Sequence, residues 1–215
     1  VPALAVVVAA FLVFSLPPYL TFDPAKARVA APEGFPEHYP LLVAHVLFAS
    51  VAMVASLPQV WPWFRARFPS AHKVIGRVYV FAGVLPAGLS GLVIGAFSPF
   101  GPVARVSNVM LALLWLAFTA TAWRRARQRR FVEHRKWMIR SFALTFSILV
   151  NRIVGAILIV VLSPQLETTF GGDEAYMVNT LAGIGTTLSL LLVLLFTQWW
   201  LERPEHAKLK ARAAR

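Results

Sequence analysis

A chain of 215 residues that is 58% hydrophobic and only 14% charged, with a mean hydropathy of +0.67, lacks the polar surface to cover itself in water. Its net charge of +12 does not mark a nucleic-acid binder, because the basic residues fall in short runs between apolar stretches with no aromatic-interleaved platform. The lack of cysteine excludes disulfides, thiolate metal sites and thiol catalysis.

Windows of about 20 mostly apolar residues, enough to cross ~30 Å of hydrocarbon as helix, occur at 1–20, 40–63, 74–97, 103–123, 137–163 and 176–201. The chain therefore reads as an all-α, integral membrane, six-helix bundle in one domain, 1–201, followed by a basic tail, 202–215. The first window stops at Pro17-Pro18, which cannot readily continue a helix, and it has no basic region ahead of its apolar run. It reads as an uncleaved first span rather than a signal peptide. The second carries His45 and ends at Trp61 and Trp63; the loop after it holds Arg65, Arg67 and Lys73. On the third, Gly91 and Gly95, with Gly88 nearby, form a small-residue face for close helix approach.

Between the fourth and fifth windows, 124–136 holds seven bases against one acid, Glu133, and the tail adds Arg203, Lys208, Lys210, Arg212 and Arg215. The 21–39 loop has two bases and three acids, and 164–175 three acids and no base. By the positive-inside rule the basic loops, both termini and the tail are cytoplasmic. Trp61, Trp63, Trp123, Trp137, Trp199 and Trp200 all fall at the cytoplasmic helix ends, as an interfacial aromatic belt requires.

Ionisable groups inside a bilayer are costly and face a bundle interior or cavity. Arg152 lies fifteen residues past Trp137, ~22 Å along a helix, in the outer half of the fifth span, next to Asn151. His45, Asn108 and Asn179 lie at matching depth, with Arg105, His38 and Tyr39 slightly farther out. Together they suggest an outward-facing polar pocket, in which Arg152 should hydrogen-bond His45, Asn108, Asn179 or a bound molecule. At the cytoplasmic face, His72, Lys73, Arg77 and Tyr79 in one segment parallel His134, Arg135, Trp137, Met138 and Arg140 in another. Each places a histidine before a helix returning outward, with an arginine five or six residues on, so spans two–three and four–five read as a duplicated hairpin. His72 and His134, with Arg77 and Arg140 deeper, would suit an anionic or quinone-like head group better than a metal ion.

These segments carry a resemblance. A-H-K-V-I-G-R-V-Y at 71–79, L-L-W-L-A-F-T-A at 113–120, H-R-K-W-M-I-R-S-F-A-L-T-F at 134–146, the Asn151-Arg152 pair and His45 are similar to bacterial membrane proteins of domain-of-unknown-function family 2306, over roughly 41–160. The resemblance implies a compact multi-helix membrane protein and supplies no settled activity.

Function is therefore read from the clusters. A redox or cofactor-binding module, taking haem b or a quinone at the histidines and arginines, is the first reading. A non-catalytic accessory subunit of a larger membrane complex, in contact with membrane lipids, is the second. A small-molecule transporter is the third, disfavoured because every Asp and Glu lies in a loop or the tail. No hydrolase or phosphate-loop signature is present.

Overall fold

The computed structural model describes residues 2–213, with side chains described through Arg203; the tail side chains of Lys208, Lys210 and Arg212, and all of Arg215, lie outside the described residues. Among the described residues every regular element is helical. In order these are α1 (Pro2–Ser15), α2 (Pro17–Leu20), α3 (His38–Val60), α4 (Pro62–Arg67), α5 (Pro69–Arg77), a π-helical stretch (Val78–Val84), α6 (Leu85–Ala96), α7 (Gly101–Arg127), α8 (Phe131–Thr145), α9 (Ser147–Leu162), α10 (Leu166–Thr169) and α11 (Glu174–Ala213), with short 3₁₀ turns between some of them.

Five stretches are long and apolar enough to cross a bilayer: His38–Val60, Pro69–Ala96, Gly101–Arg127, Ser147–Thr169 and Glu174–Arg203. The expected first span departs from this set. Pro17 and Pro18 have no N–H to give the carbonyls of Val13 and Phe14, so α1 ends after 14 residues, ~21 Å of helix. The expected start of the fifth span at Trp137 also shifts. Helix begins at Phe131, through the charged run Glu133–Lys136, and breaks at Phe146 (φ −92°, ψ 0°). There the Ser147 hydroxyl donates to the Leu144 carbonyl at 2.7 Å, diverting it from the ladder.

The third span contains the π-helical stretch because Pro86 offers no N–H to Ala82; the Leu85 N–H instead reaches the Val80 carbonyl, five residues back. This register change turns Tyr79, Val80, Gly83 and Val84 into the core.

α3 packs on the π-helical stretch and α6, α6 on α7, and α7 on both α8 and α11. α9 leans on α11, while α1 rests on α3. Successive long helices run antiparallel, so one end of the bundle carries the acidic loops 21–37 and 163–173 and the other the basic 124–136 loop. At the basic end Trp61, Trp63, Trp199 and Trp200 are exposed, and Arg203 lies over the Trp199 ring at 4.3 Å. The main core, with Ala52, Tyr79, Trp115, Phe142 and Leu190 fully or nearly buried, fills the basic half. Towards the acidic end residues of α3 and α6 on one side and of α9 and α11 on the other line a common gap.

Candidate functional site

That gap is a cavity of about 320 Å³. His45, Asn108, Asn151 and Arg152 line it among mostly apolar neighbours such as Phe11, Met53, Leu111 and Ile148.

The third-span glycines make room for two of these polar groups. A Cβ at Gly91 would stand 3.1 Å from the His45 ring, and one at Gly95 would stand 3.0 Å from the Asn108 Cβ. With both sites open, the imidazole lies against α6 and Nδ1 stands 2.8 Å from the Ala87 carbonyl. A carbonyl only accepts, so Nδ1 carries the proton and Nε2 of the neutral ring is left as an acceptor. Nε2 has no hydrogen-bond partner among the described residues. The same holds for the side chains of Asn108, Asn151 and Arg152. Arg152 shares this cavity with His45 and Asn108, and among the described residues it makes no hydrogen bond to either.

Asn179 lies elsewhere. It lines a wide hollow at the acidic end with Glu174 and Val178, and this vestibule shares Arg28, Pro99 and Phe100 with the cavity. Arg105 turns away and donates to the Ser98 carbonyl at 2.8 Å. His38 is buried and lines the cavity with its Nδ1 unpartnered; Tyr39 packs instead beside Tyr19, Leu42 and Val43. Arg28 closes the mouth. Its Nη2 donates at 2.6 Å to the Phe14 carbonyl, the one stranded by Pro18, and its guanidinium lies 3.9 Å from the centre of the Phe14 ring.

Beneath the cavity lies a buried circuit that sequence reasoning missed. Trp115 and Thr145 form part of the cavity floor. The Trp115 indole N–H donates to Thr145 Oγ1 (3.1 Å), which stands 2.8 Å from the Tyr79 hydroxyl; that in turn lies 2.6 Å from Ser141 Oγ, and Ser141 Oγ 2.6 Å from Thr119 Oγ1. Thr119 donates to the Trp115 carbonyl at 2.7 Å. Each hydroxyl has one proton, so that last bond fixes the direction of all the others: Thr145 to Tyr79, Tyr79 to Ser141, Ser141 to Thr119. The circuit leaves Trp115 by its indole and returns to its own carbonyl. Tyr79, expected in the cytoplasmic cluster, is fully buried. One signal was available: of seven tryptophans, Trp115 alone lies mid-span, where its N–H needs a buried partner.

The histidine cluster at the basic end is only partly assembled. His134 and Arg65 stand within electrostatic reach of His72. Only one imidazole is engaged: His134 Nδ1 donates to the Ala122 carbonyl (2.9 Å), whereas Gln59 Nε2 donates to the main-chain carbonyl of His72 (2.9 Å) and the buried His72 Nδ1 has no partner among the described residues. Arg140 turns to α11, donating to Gln198 Oε1 at 2.8 Å, and stacks over Trp137. Arg77 is exposed and makes no hydrogen bond or ion pair among the described residues. His134 is half-buried, and Met138, one turn on, is buried in the core. Neither histidine lines the cavity or its vestibule.

A family model described as "Predicted membrane protein (DUF2306)" matches residues 42–199, well over half of the chain. No curated protein and no solved structure matches it.

Proposed function

We propose that this chain, which belongs to the DUF2306 family of predicted membrane proteins, binds a lipid-soluble small molecule in the cavity lined by α3, α6, α9 and α11. The observation that carries this reading is the convergence of His45 Nε2, Asn108, Asn151 and Arg152, none with a hydrogen-bond partner among the described residues, on one largely apolar cavity. A concave apolar site with a few convergent polar groups is how proteins hold small ligands. The redox reading is a special case, in which the occupant is a quinone or haem.

A ligand that binds the folded protein stabilises it by mass action, about 2.7 kcal/mol at a hundredfold excess over Kd. The purified protein in neutral micelles should therefore melt several degrees higher with at least one member of a panel of quinone analogues, long-chain alcohols and long-chain acids. Ala49→Phe, which fills part of the cavity, should abolish the shift. If the filled variant responds like the parent, the cavity is not the site.

Haem is a second reading, favoured by His45 itself. A ring whose Nδ1–H is held by a backbone carbonyl presents Nε2 as a metal-ligating histidine does. A Soret band from the purified protein, lost in His45→Ala, supports it; a featureless visible spectrum after growth with added haem removes it.

For topology, the distribution of bases supports six crossings with both termini cytoplasmic in a bacterial inner membrane. α1 and α2 together run ~28 Å through residues 2–20, close to a bilayer's hydrocarbon thickness. Single cysteines placed in this cysteine-free chain should react with an impermeant maleimide from outside intact cells at Ala31 or Gly172, but not at Gln128. Labelling at Gln128 reverses the orientation.

A further inference from the structure

We infer that the molecule held in this cavity is an amphipathic anion, with a single carboxylate-type head and one apolar chain. The inference rests on the cavity being a ligand site, as proposed above, and specifies the chemistry of the occupant.

Two guanidinium groups line the cavity, those of Arg28 and Arg152, and no Asp or Glu is among its lining residues. Arg28 has a local partner in the Phe14 carbonyl, whereas Arg152 has none among the described residues. Ten residues separate Arg152 from the end of α9 at Leu162, ~15 Å of helix. Its Cα therefore lies near the middle of a ~30 Å hydrocarbon layer, beyond the reach of one side chain to either surface. Arg152 is exposed rather than enclosed, and a positive charge at that depth in a bilayer requires a counter-charge or a set of acceptors. Among the described residues no carboxylate lines the cavity and no hydrogen-bond acceptor is paired with Arg152.

The neighbouring groups favour the same occupant. Asn108 and Asn151 line the same cavity with amide groups able to donate, and an arginine fork pairs with both oxygens of a carboxylate at once. Apolar lining continues past the head-group level to Trp115, fourteen residues into α7 and so ~21 Å down it. A volume of about 320 Å³ is at the lower end for small-molecule sites and suits one chain rather than the two of a phospholipid. A neutral quinone would leave the charge of Arg152 uncompensated.

The test compares cis-parinaric acid, a fluorescent long-chain carboxylic acid, with its methyl ester. Each is titrated into the full-length protein in phosphatidylcholine nanodiscs at neutral pH. The acid is expected to bind at least about tenfold more tightly than the ester, a difference of ~1.4 kcal/mol. Arg152→Gln should bring the two within about twofold, while Arg152→Lys should keep much of the preference; a melting curve for each variant shows that it is folded. If the ester binds as tightly as the acid, or if folded Arg152→Gln keeps the full preference, the anionic inference is overturned and the cavity reading stands. If neither probe binds and none of the panel above shifts the melt, the cavity reading falls and takes the inference with it.

Discussion

Gly83→Ala will lower the stability of the bundle by about 1–3 kcal/mol, the range for forcing a methyl group into a filled core. A Cβ built at Gly83 stands 2.8 Å from both the Cα and the Cβ of Ala52. Two of its nearest atoms belong to the α3 backbone, so no rotamer change makes room; the helices must separate. Moving α3 away also loosens the contacts of Ala52 and Tyr79 in the main core. Gly155→Ala is the matched control, since nothing lies within 4 Å of a Cβ at that position. There the change only gains helix propensity, up to ~1 kcal/mol. Thermal melts of both variants in the same micelles should diverge in opposite directions. Should Gly83→Ala melt with or above Gly155→Ala, the close crossing of α3 over the π-helical stretch is not present.

Tyr79→Phe is expected to cost about 1–2 kcal/mol, although it removes a single oxygen. That oxygen both accepts from Thr145 and donates to Ser141, so its loss cuts the circuit at its centre. Thr145 has a fallback in the Ser141 carbonyl at 3.1 Å, which keeps the cost from rising further. The more telling measurement is a double-mutant cycle with Ser141→Ala. Groups linked through shared protons polarise one another, so the double variant should lose clearly less than the sum of the two single losses. Strict additivity would mean that the hydroxyls stand near one another without forming a circuit.

Much of the architecture was open to inspection in the sequence because a bilayer imposes one simple demand, a long apolar helix, and hydropathy measures that directly. The errors came where backbone chemistry overrode hydropathy. Val1 to Leu20 is apolar throughout, yet two missing proline donors divide it. Charged residues 133–136 look like loop, yet they are helical, with Glu133 paired to Arg125 and Arg130 at the bundle end. Depth counting brought His45, Asn108 and Arg152 to one cavity, because rise per residue is fixed. It misplaced Asn179, because depth says nothing of which way a residue faces, and Asn179 faces the vestibule. The cytoplasmic arginines failed for the same reason: Arg140 lies one to two turns past His134, as counted, but on the side that meets α11. Tyr79 could not be placed from spacing at all, since the π-helical stretch alters the facing of every residue near it.

The bond between Arg28 and Phe14 gives the first helix a mechanical attachment to the mouth of the cavity. Its backbone ladder is interrupted just past Phe14, and the carbonyl that the interruption strands is the one the guanidinium grips. Phe11 and Leu12 of the same helix form one wall of the chamber, so a single side chain joins the mouth to that wall. Replacing Arg28 would therefore leave the Phe14 carbonyl without its partner at the chamber's edge, and not only remove a charge there.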